Sequence, residues 1–269
     1  MRGLRLFAAV AAAAVIAACG EKNAAQSIAA PTAGSAVKFF NFGVNDPAVN
    51  FYVNDQKISA VSSATCSSAV DGKTTDTTCL NGGSETTKGT GYGANASTVG
   101  AYYSVTPGSY TLSGRIPATT TGGVISNTPA TFENGKYYSY YLSGIYDANA
   151  KTVEGFVVED PLPAFDTLTY VRFVNAISNS QPMTLYAKNA AGTETAIGGD
   201  VAYKSAGAFV TIPSGTYDLN TRVSGSSTNV ITSTGVAFNA GHVYTITAFG
   251  DINATTGASV PALDKTPNR

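Results

Sequence analysis

The sequence predicts an all-β protein made of two tandem immunoglobulin-like antiparallel β-sandwich domains behind an N-terminal leader. Three observations predict this. Outside the leader no segment keeps a 3.6-residue apolar period; short runs of β-branched and aromatic residues alternate with period two, separated by Gly, Pro and Asn-Gly. Three blocks of sequence recur in the same order. The composition suits a folded chain, because 43% hydrophobic and 10% aromatic residues supply a core even though only 12% are charged.

The first block pairs Val37-Lys38-Phe39-Phe40-Asn41 with Val171-Arg172-Phe173-Val174-Asn175, and continues as Val49-Asn50-Phe51-Tyr52 against Met183-Thr184-Leu185-Tyr186. The second sets Val105-Thr106-Pro107-Gly108-Ser109-Tyr110 beside Ile212-Pro213-Ser214-Gly215-Thr216-Tyr217. The third sets Phe132-Glu133-Asn134-Gly135-Lys136-Tyr137-Tyr138 beside Phe238-Asn239-Ala240-Gly241-His242-Val243-Tyr244. The offsets are 134, 107 and 106 residues, so the first copy carries about 27 extra residues between its first and second blocks. Pro before Gly ends the preceding ladder by removing an N–H. Asn134-Gly135 reads as a two-residue hairpin turn. Tyr110 and Tyr217 read as core residues, with a tyrosine corner as the alternative. The first sandwich therefore spans 36–160 with an insertion at about 62–99, and a Pro-rich linker covers 161–168. The second sandwich spans 169–252, and 253–269 reads as a frayed or lightly packed tail.

Arg2 and Arg5 precede an uncharged Ala-rich run from Leu6 to Ala18, shorter than the roughly 20 residues a spanning helix needs. The run ends in Ile16-Ala17-Ala18-Cys19, which resembles the bacterial lipobox: small residues fit the peptidase cleft and the thiol is the nucleophile that accepts the lipid. Residues 1–18 are expected to be a lipoprotein signal peptide and Cys19 the lipidated residue, with 19–35 as a flexible tether. Fatty acids contribute about 0.8 kcal/mol per buried CH₂, so such an anchor needs no transmembrane helix. Gly20 after the cysteine resembles the pattern sorted to the outer membrane. Cys66 and Cys79 are expected to pair, as befits an oxidising compartment, and to staple the insertion. A metal site is the alternative, but neither Cys-x-x-Cys nor a nearby His accompanies them.

Chemistry is scarce. A net charge of -1 and a pI near 5.8 provide no field for nucleic acid. His242 is the only imidazole and reads as an exposed turn residue, so a Ser/His/Asp triad would have to use it. Glu154, Glu159 and Asp160 are close enough for a two-carboxylate hydrolase, yet their place beside the Pro linker reads as a solvated strand end. Asp71 and Asp76 in the insertion offer oxygen ligands for Ca²⁺ without the full loop pattern. No metal or cofactor is expected. The most suggestive group is aromatic: with Tyr138 and Tyr140 pointing inward, Tyr137 and Tyr141 face outward, joined by Tyr102. Such a patch could stack on a sugar ring; cross-strand pairing over the sheet, or an interdomain contact, is the preferred reading of it.

The segments Asp46-Pro47-Ala48-Val49-Asn50-Phe51-Tyr52-Val53-Asn54, Pro213-Ser214-Gly215-Thr216-Tyr217-Asp218 and Ala240-Gly241-His242-Val243-Tyr244-Thr245 resemble signature stretches of the bacterial extracellular repeats called domain of unknown function 4397. The resemblance covers roughly residues 36–250 as two copies, and the second departs from it at Ser178-Asn179-Ser180-Gln181-Pro182, where Asp-Pro-Ala is absent. It implies a secreted or lipid-anchored β-sandwich with no catalytic residues to carry over. The expected role is a non-catalytic cell-envelope lipoprotein in structure, adhesion or protein binding, facing the periplasm or the outside. Its expected partners are the membrane, through the lipid, and another envelope protein or a glycan. The alternative is a surface carbohydrate-binding lipoprotein using Tyr137, Tyr141 and Tyr102.

Overall fold

The computed structural model of the chain describes residues 34–58, 89–97, 101–117 and 123–269. Cys19, Cys66, Cys79, Asp71 and Asp76 lie outside the described residues, as do the leader and nearly all of the tether. No described helix is long and apolar enough to cross a membrane.

The first half contains β1 (Ser35–Asn41), β2 (Asn50–Val53), β3 (Gln56–Lys57), β4 (Ala94–Asn95), β5 (Tyr103–Val105), β6 (Gly108–Arg115), β7 (Val124–Phe132), β8 (Tyr137–Asp147) and β9 (Thr152–Glu159). The second contains β10 (Thr169–Asn175), β11 (Met183–Asn189), β12 (Glu194–Val201), β13 (Ser205–Ala206), β14 (Val210–Ile212), β15 (Gly215–Val223), β16 (Ile231–Phe238), β17 (Val243–Phe249) and β18 (Ala262–Pro267). Among the described residues the protein is all-β. Each half has two sheets: β4-β1-β8-β9, with β5 also on β1, faces β3-β2-β6-β7, and β13-β10-β17-β18, with β14 also on β10, faces β12-β11-β15-β16. Between each pair lies a core built by alternate residues of both sheets, Phe39, Phe51, Leu112, Tyr140 and Leu142 in one and Phe173, Leu185, Leu219 and Ile246 in the other.

The sandwiches are mixed, which corrects the purely antiparallel expectation: β1 pairs with β8 and β10 with β17 in parallel. The turn chemistry explains why. Asn134-Gly135 does turn, with Gly135 at φ 77 and the Asn134 side chain accepting from the Gly34 amide at 2.7 Å. It closes no hairpin, however, because β7 and β8 belong to different sheets. The chain crosses the core there, so β8 enters beside β1 running the same way.

Two further expectations change. Tyr110 and Tyr217 are tyrosine corners, each hydroxyl donating to a backbone carbonyl four residues upstream, Thr106 at 2.8 Å and Pro213 at 2.7 Å. The tail is not frayed: β18 pairs antiparallel with β17 from Phe249↔Ala262 to Tyr244↔Pro267, and Thr266 and Asn268 are buried. It stands where β9 stands in the first half, beside the parallel pair, and it is ordered by what covers it.

Candidate functional site

The faces of the two parallel sheets that point away from their own cores meet each other. Alternation along β1 sends Val37 and Phe39 to the inner core, leaving Lys38 and Phe40 on the outer face, continued by Phe42. On β8, Tyr138, Tyr140 and Leu142 go inward, which leaves Tyr137, Ser139, Tyr141 and Ser143 outside, as read from the sequence. This outer face is not open to solvent. Tyr141 is 0% exposed, packed with Val174 and Ala176 of the second domain, and Tyr137 is 9% exposed, with Tyr102 edge-on against it. The tyrosine patch therefore offers no platform for a sugar ring. Alternation specifies which face a side chain takes and says nothing of what lies over it.

The apolar part of this seam consists of Phe40, Phe42, Tyr141, Phe156 and Val158 from the first domain, packed with Val174 and Ala176 from the second and flanked by Tyr203 and Phe249. Tyr141 stacks on Phe40 at 4.6 Å and on Phe156 at 5.1 Å, and Phe42 stacks on Phe249 of the other domain at 4.4 Å. Each large side chain removed from water contributes roughly 1.5–3 kcal/mol. Closing the eight-residue linker 161–168 opposes this only weakly, since loop entropy grows with the logarithm of length.

The polar end is built around two buried cations. Arg172 of β10 is 0% exposed; its Nη2 donates to Asp160 Oδ1, Nη1 to the Glu159 carbonyl at 2.9 Å and Nε to Thr245 Oγ1 at 2.9 Å. Asp160 accepts as well from Ser139 at 2.8 Å and from Tyr102 at 2.7 Å. Asp160 is thus a buried ion-pair partner, which corrects its reading as part of a solvated edge. Glu154 and Glu159 do remain exposed. Burial works most strongly against the Arg172 charge, but Asp160 together with Tyr141 and Tyr102 outweighs it and the net shift is upward. Lys38 of β1 donates to the Pro267 carbonyl at 2.6 Å and to Asn268 Oδ1 at 3.0 Å, with its ammonium 4.3 Å from the Tyr102 ring centroid. Burial pushes it down to about 7, against the pull of Asp160. Half-buried Tyr102 thus bridges the two cations, and Tyr137 packs edge-on against it at 5.0 Å. The sequence placed all three tyrosines together; it missed Lys38 and Arg172, although a cation at the same point of both copies, among apolar neighbours, was a readable signal.

Elsewhere, a shallow groove at the β7/β9 edge is lined by Val124, Ile125, Ile145 and Val153 with Asp147 and Glu154 on its rim. Both carboxylates have partners. Asp147 accepts from the Asn149 and Ala150 amides at 2.8 and 3.0 Å, which hold it below its ordinary range. Burial pushes Glu154 up, but Tyr203 at 2.8 Å and Lys204 at 3.1 Å hold it low. His242 lies exposed in its turn, its Nδ1 2.9 Å from the Ala240 carbonyl. The described residues contain no cluster of three His, Cys, Asp or Glu able to hold a metal.

The segment that differs between the copies is also informative. Both carboxylate oxygens of Asp46 are buried without a hydrogen-bond partner, and burial pushes the group up to about 8. Ser180, 134 residues on, lies five residues beyond Asn175 as Asp46 does beyond Asn41, and its hydroxyl is satisfied by Asn175 Nδ2 at 3.0 Å and the Ile177 carbonyl at 3.0 Å.

Fold and seam together define a class: an all-β protein of two mixed sandwiches joined through their parallel sheets. Residues 169–268 match the model of the family described as domain of unknown function (DUF4397), and over that stretch the chain is DUF4397-like. No curated protein matches the chain. Among solved structures it is similar to the Bacillus anthracis TIE protein at 10% identity and TM-score 0.22, over 87% of this chain and 43% of that one. It is also similar to a candidate cell adhesion protein from Bacteroides ovatus ATCC 8483 at 11% identity and TM-score 0.22, over 88% of this chain and 96% of that one. The chain thus spans less than half the length of the first of these proteins.

Proposed function

We propose that the chain is a non-catalytic lipoprotein of the cell envelope, a stiff two-domain body held off a membrane on a short tether, with a structural, adhesive or protein-binding role. The observation that carries this reading is how the reactive-looking groups are used. Asp160, Arg172 and Lys38, which would otherwise suggest a ligand or catalytic patch, tie one domain to the other, with Tyr141 packed in the same seam and Tyr102 and Tyr137 supporting Asp160 from its own domain. The leader ending at Cys19, the -1 net charge and the single His support it. The glycan reading depended on an open Tyr137/Tyr141 face and has no such face to rest on.

The test is mass spectrometry of the N-terminal peptide from isolated membranes, with a cross-linked pull-down from native envelope. Cleavage before Cys19 with acylation of that residue is expected, together with capture of an envelope component. An intact, unacylated leader overturns the anchor, and turnover of an envelope substrate by the purified chain overturns the non-catalytic role.

A further inference from the structure

The contacts across the seam come in pairs, each the mirror of the other. Lys38 and Arg172 are both fourth in their strands, β1 and β10. Each crosses to the other domain and donates to the carbonyl of one residue and the side chain of the next: Pro267 and Asn268 for Lys38, Glu159 and Asp160 for Arg172. Each acceptor side chain is held from its own domain by a hydroxyl third in the parallel partner strand, Ser139 for Asp160 and Thr245 for Asn268, at 2.8 and 2.7 Å. Each acceptor's amide donates to the first residue of that same strand, Asp160 to Tyr137 and Asn268 to Val243, both at 2.7 Å. Each cation lies over a ring that precedes β5 or β14, Tyr102 at 4.3 Å and Phe209 at 4.9 Å.

The apolar end obeys the same rule. Phe42 meets Phe249, and at the equivalent place Ala176 meets Ser143, whose hydroxyl donates to the Ala176 carbonyl at 2.8 Å. Tyr92 packs edge-on to Phe249 at 5.7 Å, and the Tyr203 hydroxyl lies 3.1 Å from that of Ser143. Tyr141 and Thr247, fifth in β8 and β17, touch each other at 3.5 Å, as only residues on a two-fold axis do. When residue i of one unit contacts j of the other and the counterpart of j contacts the counterpart of i, the interface is isologous.

From this pattern we infer that the outer face of each parallel sheet is a self-complementary coupling surface, that the chain is in effect a two-fold dimer joined by a linker, and that the partner this surface fits is the same face of a second copy of this chain. This goes beyond the proposed envelope role and does not depend on it. The copies have diverged enough to favour the intrachain pair, since two Tyr141 rings would crowd the axis and two Thr247 side chains would leave it underfilled. A second copy therefore engages only when the intrachain partner is blocked.

The experiment uses the full folded chain and measures mass in solution by light scattering. Tyr141→Arg places a charge on the axis in the first domain, leaving the second domain's face uncovered while the inner core is untouched. The mass is expected to double relative to the unsubstituted chain, and adding Thr247→Arg, which blocks the second face as well, is expected to restore it. Lys38→Glu, which spares the ring stack, is the second route to the uncovered face should Tyr141→Arg fail to fold by circular dichroism. A folded variant of unchanged mass overturns the inference, and so does a doubled mass that survives Thr247→Arg, because the association then uses another surface.

Discussion

Replacing Asp160 by Asn isolates the buried ion pair of the seam. Arg172 and Asp160 are both fully buried, so the amide would leave a guanidinium with two neutral acceptors, the Glu159 carbonyl and Thr245, and no counter-charge. Removing one partner of a buried pair costs about 3–5 kcal/mol, because the remaining charge stays desolvated. The other end of the seam is a natural control. There an amide, Asn268, already faces a cation, but that cation is Lys38, which burial pushes down to about 7 and which can give up its charge. A guanidinium cannot. Asp160→Asn is therefore expected to cost about 3–5 kcal/mol, and Asp160→Asn with Arg172→Met to recover most of that loss. The assay is urea unfolding followed by far-ultraviolet circular dichroism and tyrosine fluorescence, the chain having 15 Tyr and no Trp. A cost below about 1 kcal/mol, or a double variant no more stable than the single, would refute the claim that an uncompensated buried charge is what matters.

Two pH windows follow from the same structure. Lys38, lowered from 10.5 to about 7, binds fewer protons folded than unfolded between those values, so its contribution makes stability rise with pH across that window; Lys38→Met should flatten the rise in urea midpoints. Asp46, raised from 3.8 to about 8, binds more protons folded than unfolded, so its contribution is lost as pH climbs toward 8; Asp46→Ser, copying Ser180, should raise the melting temperature at pH above 8 and change it little at pH below 4. Gly155→Ala would place a methyl 2.4 Å from Thr128 Oγ1 and 2.7 Å from Tyr140 Oη, where both sheets close on β9, and should cost about 1–3 kcal/mol in urea unfolding. Deleting residues 262–269 removes β18 and both acceptors of Lys38, so limited proteolysis should cut the truncated chain near the linker much faster than the whole.

The parts of the fold written in local chemistry were legible. Period-two alternation assigned Tyr137 and Tyr141 to one face and Tyr138 and Tyr140 to the other, and the recurring blocks aligned Lys38 with Arg172 and Tyr110 with Tyr217. The parts fixed by what packs on top were not. Ala262-Leu263-Asp264-Lys265-Thr266-Pro267 has little β-propensity and no clean alternation, and it forms a strand because β17 supplies the ladder and the first domain supplies the cover. Asp160 stands beside a Pro linker, where acids are normally solvated, and its burial depends on a guanidinium 12 residues further on. Parallel pairing hid for a related reason: Asn134-Gly135 specifies a tight turn, whereas which sheet receives the next strand depends on both cores being filled. For β18 and Asp160 a single half was unreadable alone, since its outer face is completed by the other half. The paired cations show how that could have been read: a buried Lys in one half and a buried Arg in the other, each flanked by core residues, need more acceptors than their own sandwich provides, and the missing acceptors have to come from a second unit.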